Sequence, residues 1–119
     1  MAGIVHIPWY ATTFRGDRLE AALAEIAPVA ARYGATAYFV HRSREDGYKF
    51  LQGAVFEDKL DFERYWNGPE FTRWRAVNQS YFQVPVTYAW NDIVVEGGIG
   101  AGEAAQAAAE PAEAAAVAE

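Results

Sequence analysis

The chain has 119 residues, 52% of them apolar, no cysteine and a formal charge of −6. That is the size of one domain with material for a core, and it excludes disulfides, thiolate metal sites and a cysteine nucleophile. Residues 97–119 carry −4 (Glu103, Glu110, Glu113 and Glu119, with no base) and residues 1–96 only −2, so the positive footprint that attracts nucleic acid or anionic lipid is missing.

The opening segment, MAGIVHIPWY, has no basic stretch ahead of its apolar residues and places His6 among them. It is predicted to be a strand, not a secretion signal. No run reaches the ~18 apolar residues of a membrane span. These features and the lack of cysteine lead us to expect a cytoplasmic protein.

Residues 3–11 form the first predicted strand, with an irregular or unpaired stretch at Pro8, which has no N–H to donate. Asp17 is placed to cap a helix, and Glu20, three residues on, completes a capping-box pattern. Leu19, Ala22, Leu23, Ile26, Val29, Ala30 and Tyr33 then recur at the spacing of one helix face. Pro28 should kink that helix, and Gly34 stands where a left-handed C-cap belongs. Residues 35–42 and 48–56 are the second and third strands. The polar turn SREDG between them predicts an antiparallel hairpin.

A second helix is expected after Glu57-Asp58, carrying Leu60, Phe62, Tyr65 and Trp66. It breaks at Asn67-Gly68-Pro69 and resumes with Phe71, Trp74, Val77 and Asn78 on one side and Arg73 and Arg75 on the wet side. VTYAWNDIVV supplies a fourth strand. From Gly97 onward alanine, glycine and glutamate dominate and no apolar face forms. A domain over 1–96 followed by a disordered or fraying acidic tail over 97–119 is the expectation.

The order strand–helix–strand–strand–helix–strand places the helices on one face of a four-stranded antiparallel sheet, an α+β arrangement. The opposite face of a monomer should then be polar. It is not: alternation gives Val5 and Ile7 to one face and Ile4, His6, Pro8 and Tyr10 to the other, and Leu51, Gly53 and Val55 oppose Phe50, Gln52, Ala54 and Phe56. Nine of the eighteen aromatic residues also crowd between Phe62 and Trp90. An uncovered face of that kind would exceed the apolar patch normal on a monomer, so a face-to-face homodimer is expected.

This element order, together with FEDKLDFERYWNGPEFTRWRA followed by QVPVTYAW, resembles the ferredoxin-like dimeric α/β-barrel superfamily, and within it the antibiotic biosynthesis monooxygenase-like proteins. The resemblance covers roughly residues 3–95. It implies a ferredoxin-like βαββαβ subunit, two of which close an eight-stranded barrel, each with a pocket between sheet and helices. Because such barrels serve several chemistries, the resemblance alone does not choose one.

His6 is the most conspicuous titratable group, polar within an apolar strand. A histidine can take a proton from an acidic phenol or enolisable carbon; equally, it can be a hydrogen-bonded residue of the barrel interface. Tyr38, Gln52, Tyr88, Trp90 and Asn91 are candidates to line a substrate cavity, although aromatic residues at this spacing are commonly core. Haem-degrading relatives hold iron by a histidine on the second helix, and none occurs between Lys59 and Tyr81. Two histidines without cysteine suggest no zinc site either, so no cofactor is expected. Arg42 and Arg44 are assigned to a solvated turn. The sequence thus points to a cofactor-independent monooxygenase acting on a small aromatic or polyketide-like substrate, or else to a non-catalytic small-molecule-binding or structural homodimer.

Overall fold

The computed structural model describes residues 2–98; of the predicted acidic tail, residues 99–119 lie outside the described residues. β1 (Gly3–Tyr10), β2 (Ala37–Arg42), β3 (Lys49–Phe56) and β4 (Ala89–Asp92) form one antiparallel sheet in the order β2-β3-β1-β4. Helices α1 (Gly16–Ile26), α2 (Lys59–Asn67) and α3 (Pro69–Asn78) cover one face of it. This is the ferredoxin-like βαββαβ arrangement that the element order predicts. No helix among the described residues is long and apolar enough to cross a membrane.

In α1 the buried residues are Leu19, Ala22, Leu23 and Ile26, as the spacing requires, with Gly16 at the start of the helix. The capping box does not form. The helix begins ahead of Asp17, and Arg15 at the N-cap makes no side-chain capping bond. Asp17 and Glu20 instead accept hydrogen bonds from Arg42 Nη1 at 2.8 and 3.1 Å, while Arg42 Nε donates to Gly47 O at 2.9 Å. Here both partners are charged, so Coulomb attraction adds to the hydrogen bond beyond what a backbone N–H offers a carboxylate, and the two carboxylates turn to the cation. Arg42 is therefore a clamp between α1 and the β2–β3 hairpin, not a solvated turn residue.

Pro28 does not kink a continuous helix either. It sits in the first turn of a 3-10 helix, Ala27–Tyr33, that takes over from α1 and can accept a residue without an N–H there. Gly34 ends this helix at φ 97°, as predicted, and donates to Ala31 O. Its lack of a Cβ makes that conformation inexpensive. The break at Gly68-Pro69 is also where the sequence places it: α2 stops at Asn67 and Pro69 opens α3.

β4 is much shorter than predicted. It pairs with β1 only from Gly3↔Asp92 to His6↔Ala89. Beyond Asp92, β1 has run out. On the other side, Ala11 N donates to Tyr48 O next to β3, whereas Tyr10 O accepts from Gln83 N. By alternation the even-numbered residues of β1 direct their backbone groups toward β4, and Pro8 has no hydrogen to offer. The ladder lapses there and only an isolated bridge, Ala11↔Phe82, follows.

The core lies between sheet and helices and is centred on Trp9, which is 1% exposed. Trp74 and Phe82 approach its ring edge-on at 5.2 and 5.0 Å, and Phe71 stacks at 6.2 Å. Trp74 also donates from Nε1 to Ala22 O at 2.7 Å, which fastens α3 to α1. Val77, predicted to share the inner side of α3, is exposed instead; Phe71 and Trp74 alone supply the buried surface of that helix.

Among the described residues, no helix lies over the opposite sheet face. By the register it carries Ile4, His6 and Pro8 of β1, Phe39 and His41 of β2, and Leu51, Gly53 and Val55 of β3. Gly53 is required here: a Cβ on it would come within 2.1 Å of the Phe39 ring, which lies across the glycine. His41 stacks on that ring at 4.5 Å. The face is apolar in the way the alternation predicts.

Candidate functional site

The residues singled out from the sequence do not converge on one cavity. His6 and Asn91 share the uncovered sheet face, where Asn91 Nδ2 lies 3.4 Å from His6 Nδ1 and 3.3 Å from Ile4 O. Tyr38 stands opposite Ala54 on the helix side of the edge strand and is half exposed. Trp90 stands opposite Val5 on that same side and covers Gly3, where a Cβ would meet its ring. Tyr88 precedes β4 and packs edge-on against Phe62 at 4.7 Å and Trp66 at 5.5 Å.

Gln52 lies in the core, 1% exposed. Its Oε1 accepts from Trp9 Nε1 at 3.0 Å, and its Nε2 donates to the Tyr65 hydroxyl at 3.0 Å. That hydroxyl in turn donates to Ile26 O at 2.6 Å. Burial raises the Tyr65 pKa and the Gln52 amide works against the rise, so the phenol remains a proton donor. Each end of the amide has a partner, as buried polar groups require. Gln52→Leu would strand the Trp9 N–H in an apolar setting, and is expected to cost ~1–3 kcal/mol in urea unfolding. A loss below ~0.5 kcal/mol would show that the network carries little.

The space between sheet and helices is thus filled by side chains, and the clefts lie outside it. One, of about 320 Å³, is formed by α3 and the segment leading to β4, with Trp66, Phe82, Val84 and Val86 on its walls and Arg75 and Gln79 as its polar groups. It falls at the lower end of the size range of small-molecule sites. A second, of about 410 Å³, is a trough beside Pro8, His41 and Leu51 on the uncovered sheet face.

Arg75 is not on the wet side of α3. Its guanidinium carbon lies 4.1 Å from the centroid of Trp66 and 5.0 Å from that of Phe71. Phe71 is one turn earlier on α3, while Trp66 reaches the same place because the chain bends at Gly68. Among the described residues, Nη1 is buried without a hydrogen-bond partner, and Arg75 belongs to none of the ion pairs. Burial lowers its pKa from the usual arginine value. The ring faces offset part of that desolvation. The (i, i+4) spacing of Phe71 and Arg75 is the signal in the sequence; the approach of Trp66 across the helix break has none.

No protein-family model matches the chain, and no curated protein is similar to it in sequence. Solved structures are similar. A protein from Nitrosomonas europaea, provisionally named an antibiotic biosynthesis monooxygenase, superposes with a TM-score of 0.72 at 12% identity, covering 82% of this chain and 94% of that one. A protein from Pseudomonas aeruginosa gives 0.68 at 24% identity over 80% and 97%. One from Chloroflexus aurantiacus, with the same provisional name as the first, gives 0.69 at 19% identity over 84% and 100%. At these identities the likeness concerns the backbone: the chain has the ferredoxin-like fold of the antibiotic biosynthesis monooxygenase-like structures.

Proposed function

We propose that the protein is a homodimer that oxidises a small, electron-rich aromatic or polyketide-like compound with dioxygen, without a bound cofactor, in the cleft between α3 and the lead-in to β4. The cleft carries this reading: aromatic and aliphatic walls with one cation and one amide among them. An apolar site with a positive group favours the phenolate or enolate of a substrate over its neutral form. Such an anion can give electrons directly to dioxygen. For a benzylic CH2 the balance closes without a further reductant, since CH2 and O2 become C=O and H2O. The fold shared with structures provisionally named monooxygenases supports the assignment. His6 and Asn91 lie on the sheet face that a second copy would cover, and we give them an interface role there.

Oxygen uptake with anthrones and electron-rich phenols tests this. Turnover above autoxidation is expected, and His6→Ala should keep it. Loss of turnover in a folded His6→Ala dimer would move the chemistry to the barrel interior. No uptake across the panel would favour a non-catalytic binding or structural homodimer. The filled space between sheet and helices already lends weight to that second reading.

A further inference from the structure

The geometry points to Arg75 as the anchor for the negatively charged oxygen of a planar conjugated ligand, so that the cleft selects carboxylates or phenolates over neutral molecules of the same shape. The inference rests on the cleft described above as a binding site, but not on any oxidation taking place in it.

A cation removed from water normally has a counter-charge beside it. Arg42, with 29% of its side chain exposed, follows that rule and meets two carboxylates, whereas Arg32 and Arg64 pair with carboxylates while still largely in water. Arg75 has aromatic faces instead, and Nη1 has no hydrogen-bond partner among the described residues. Ring faces stabilise the charge but accept none of its directed N–H bonds as an oxygen would. Nη1 itself is closed to solvent, so a ligand in the cleft would meet the remainder of the guanidinium, which lines its wall.

A bound anion would complete it. The planar guanidinium fork suits a carboxylate, and the remaining walls, Phe82, Val84 and Val86, suit a flat apolar body. Gln79, exposed at the rim, offers an amide to a second polar substituent.

Titration with 2-naphthoate against 2-naphthylmethanol, read by calorimetry, tests the assignment. The wild-type protein is expected to prefer the carboxylate by ~10–100-fold, the range for a hydrogen bond to a charged group. Arg75→Met should remove that preference and stay folded, since a flexible apolar side chain can rest on Trp66 in place of the guanidinium. Arg75→Lys should keep part of it. Equal binding of the two probes, an undiminished preference in Arg75→Met, or no binding of either would overturn the inference. Neither probe is an oxidation substrate. Preference without oxygen uptake would leave the anion site standing and remove the oxidase reading, and uptake without preference would do the reverse.

Discussion

Trp9→Ala is expected to destabilise the domain by ~3–5 kcal/mol, the range for removing a large aromatic side chain from a packed core. Trp9 is in the middle strand region of the sheet and is enclosed by rings from α2, α3 and the segment after α3. Those rings belong to separate elements joined through Trp9, so no single neighbour can collapse into the vacancy. The substitution also removes the donor to Gln52 Oε1, leaving a buried acceptor without a partner. Against a total of ~5–15 kcal/mol for a domain, this takes a large share. With a urea slope of ~1–3 kcal/mol per molar, the unfolding midpoint should fall by more than ~1 M. Trp9→Phe keeps most of the ring and should lie between the two. A Trp9→Ala protein within ~1 kcal/mol of wild type would mean that the core is centred elsewhere.

The fold was legible because its signals are local. Leucine and alanine spacing marks α1, Gly68-Pro69 marks the break between α2 and α3, and Asp-Gly marks the hairpin. Strand alternation correctly divides β1 into Val5 and Ile7 on one face and Ile4, His6, Pro8 and Tyr10 on the other. What alternation leaves open is which residues of neighbouring strands share those faces, because that depends on register. A shift of one residue exchanges the faces of a whole strand. The observed register sets Gln52 opposite Ile7 and Gly53 opposite His6. It also sets Trp90 opposite Val5 and Asn91 opposite Ile4. Register thereby separates His6 from Gln52 and puts His6 with Asn91, while Trp90 and Asn91, being consecutive, part by alternation alone.

Arg75 illustrates a different limit. Hydropathy assigns a guanidinium to water, yet its flat apolar faces stack on aromatic rings as readily as a hydrocarbon does. Whether they do so depends on which rings come within reach, and that follows from the direction of α3 after Gly68. The cap at Asp17 is a similar case. The local pattern for a capping box is present, but Arg42 arrives from a strand distant in sequence and takes both carboxylates.

Leu51→Lys and Val55→Lys are each expected to convert the proposed homodimer to a folded monomer at micromolar concentration. Both residues are on β3, a central strand of the sheet, on the face without helices, and both are only partly buried within one subunit. A lysine there can reach water in the isolated chain, so folding should survive. A standard dimer interface buries ~1,200–2,000 Å² in total. If ~1,000 Å² of that is apolar, the gross gain is ~25 kcal/mol, enough to exceed association costs of ~4–15 kcal/mol. Two-fold symmetry makes every substitution count twice. Loss of ~2 kcal/mol of apolar burial per copy then weakens the dimer by about a thousandfold. Sedimentation equilibrium should give twice the 13.1 kDa chain mass for the wild type and the single mass for either variant. Val77→Lys, at an exposed position on α3, should leave the dimer intact. A wild-type protein that sediments as a single chain would mean that Ile4, Phe39, Leu51 and Val55 are tolerated in water, and the dimer proposal would fall with them.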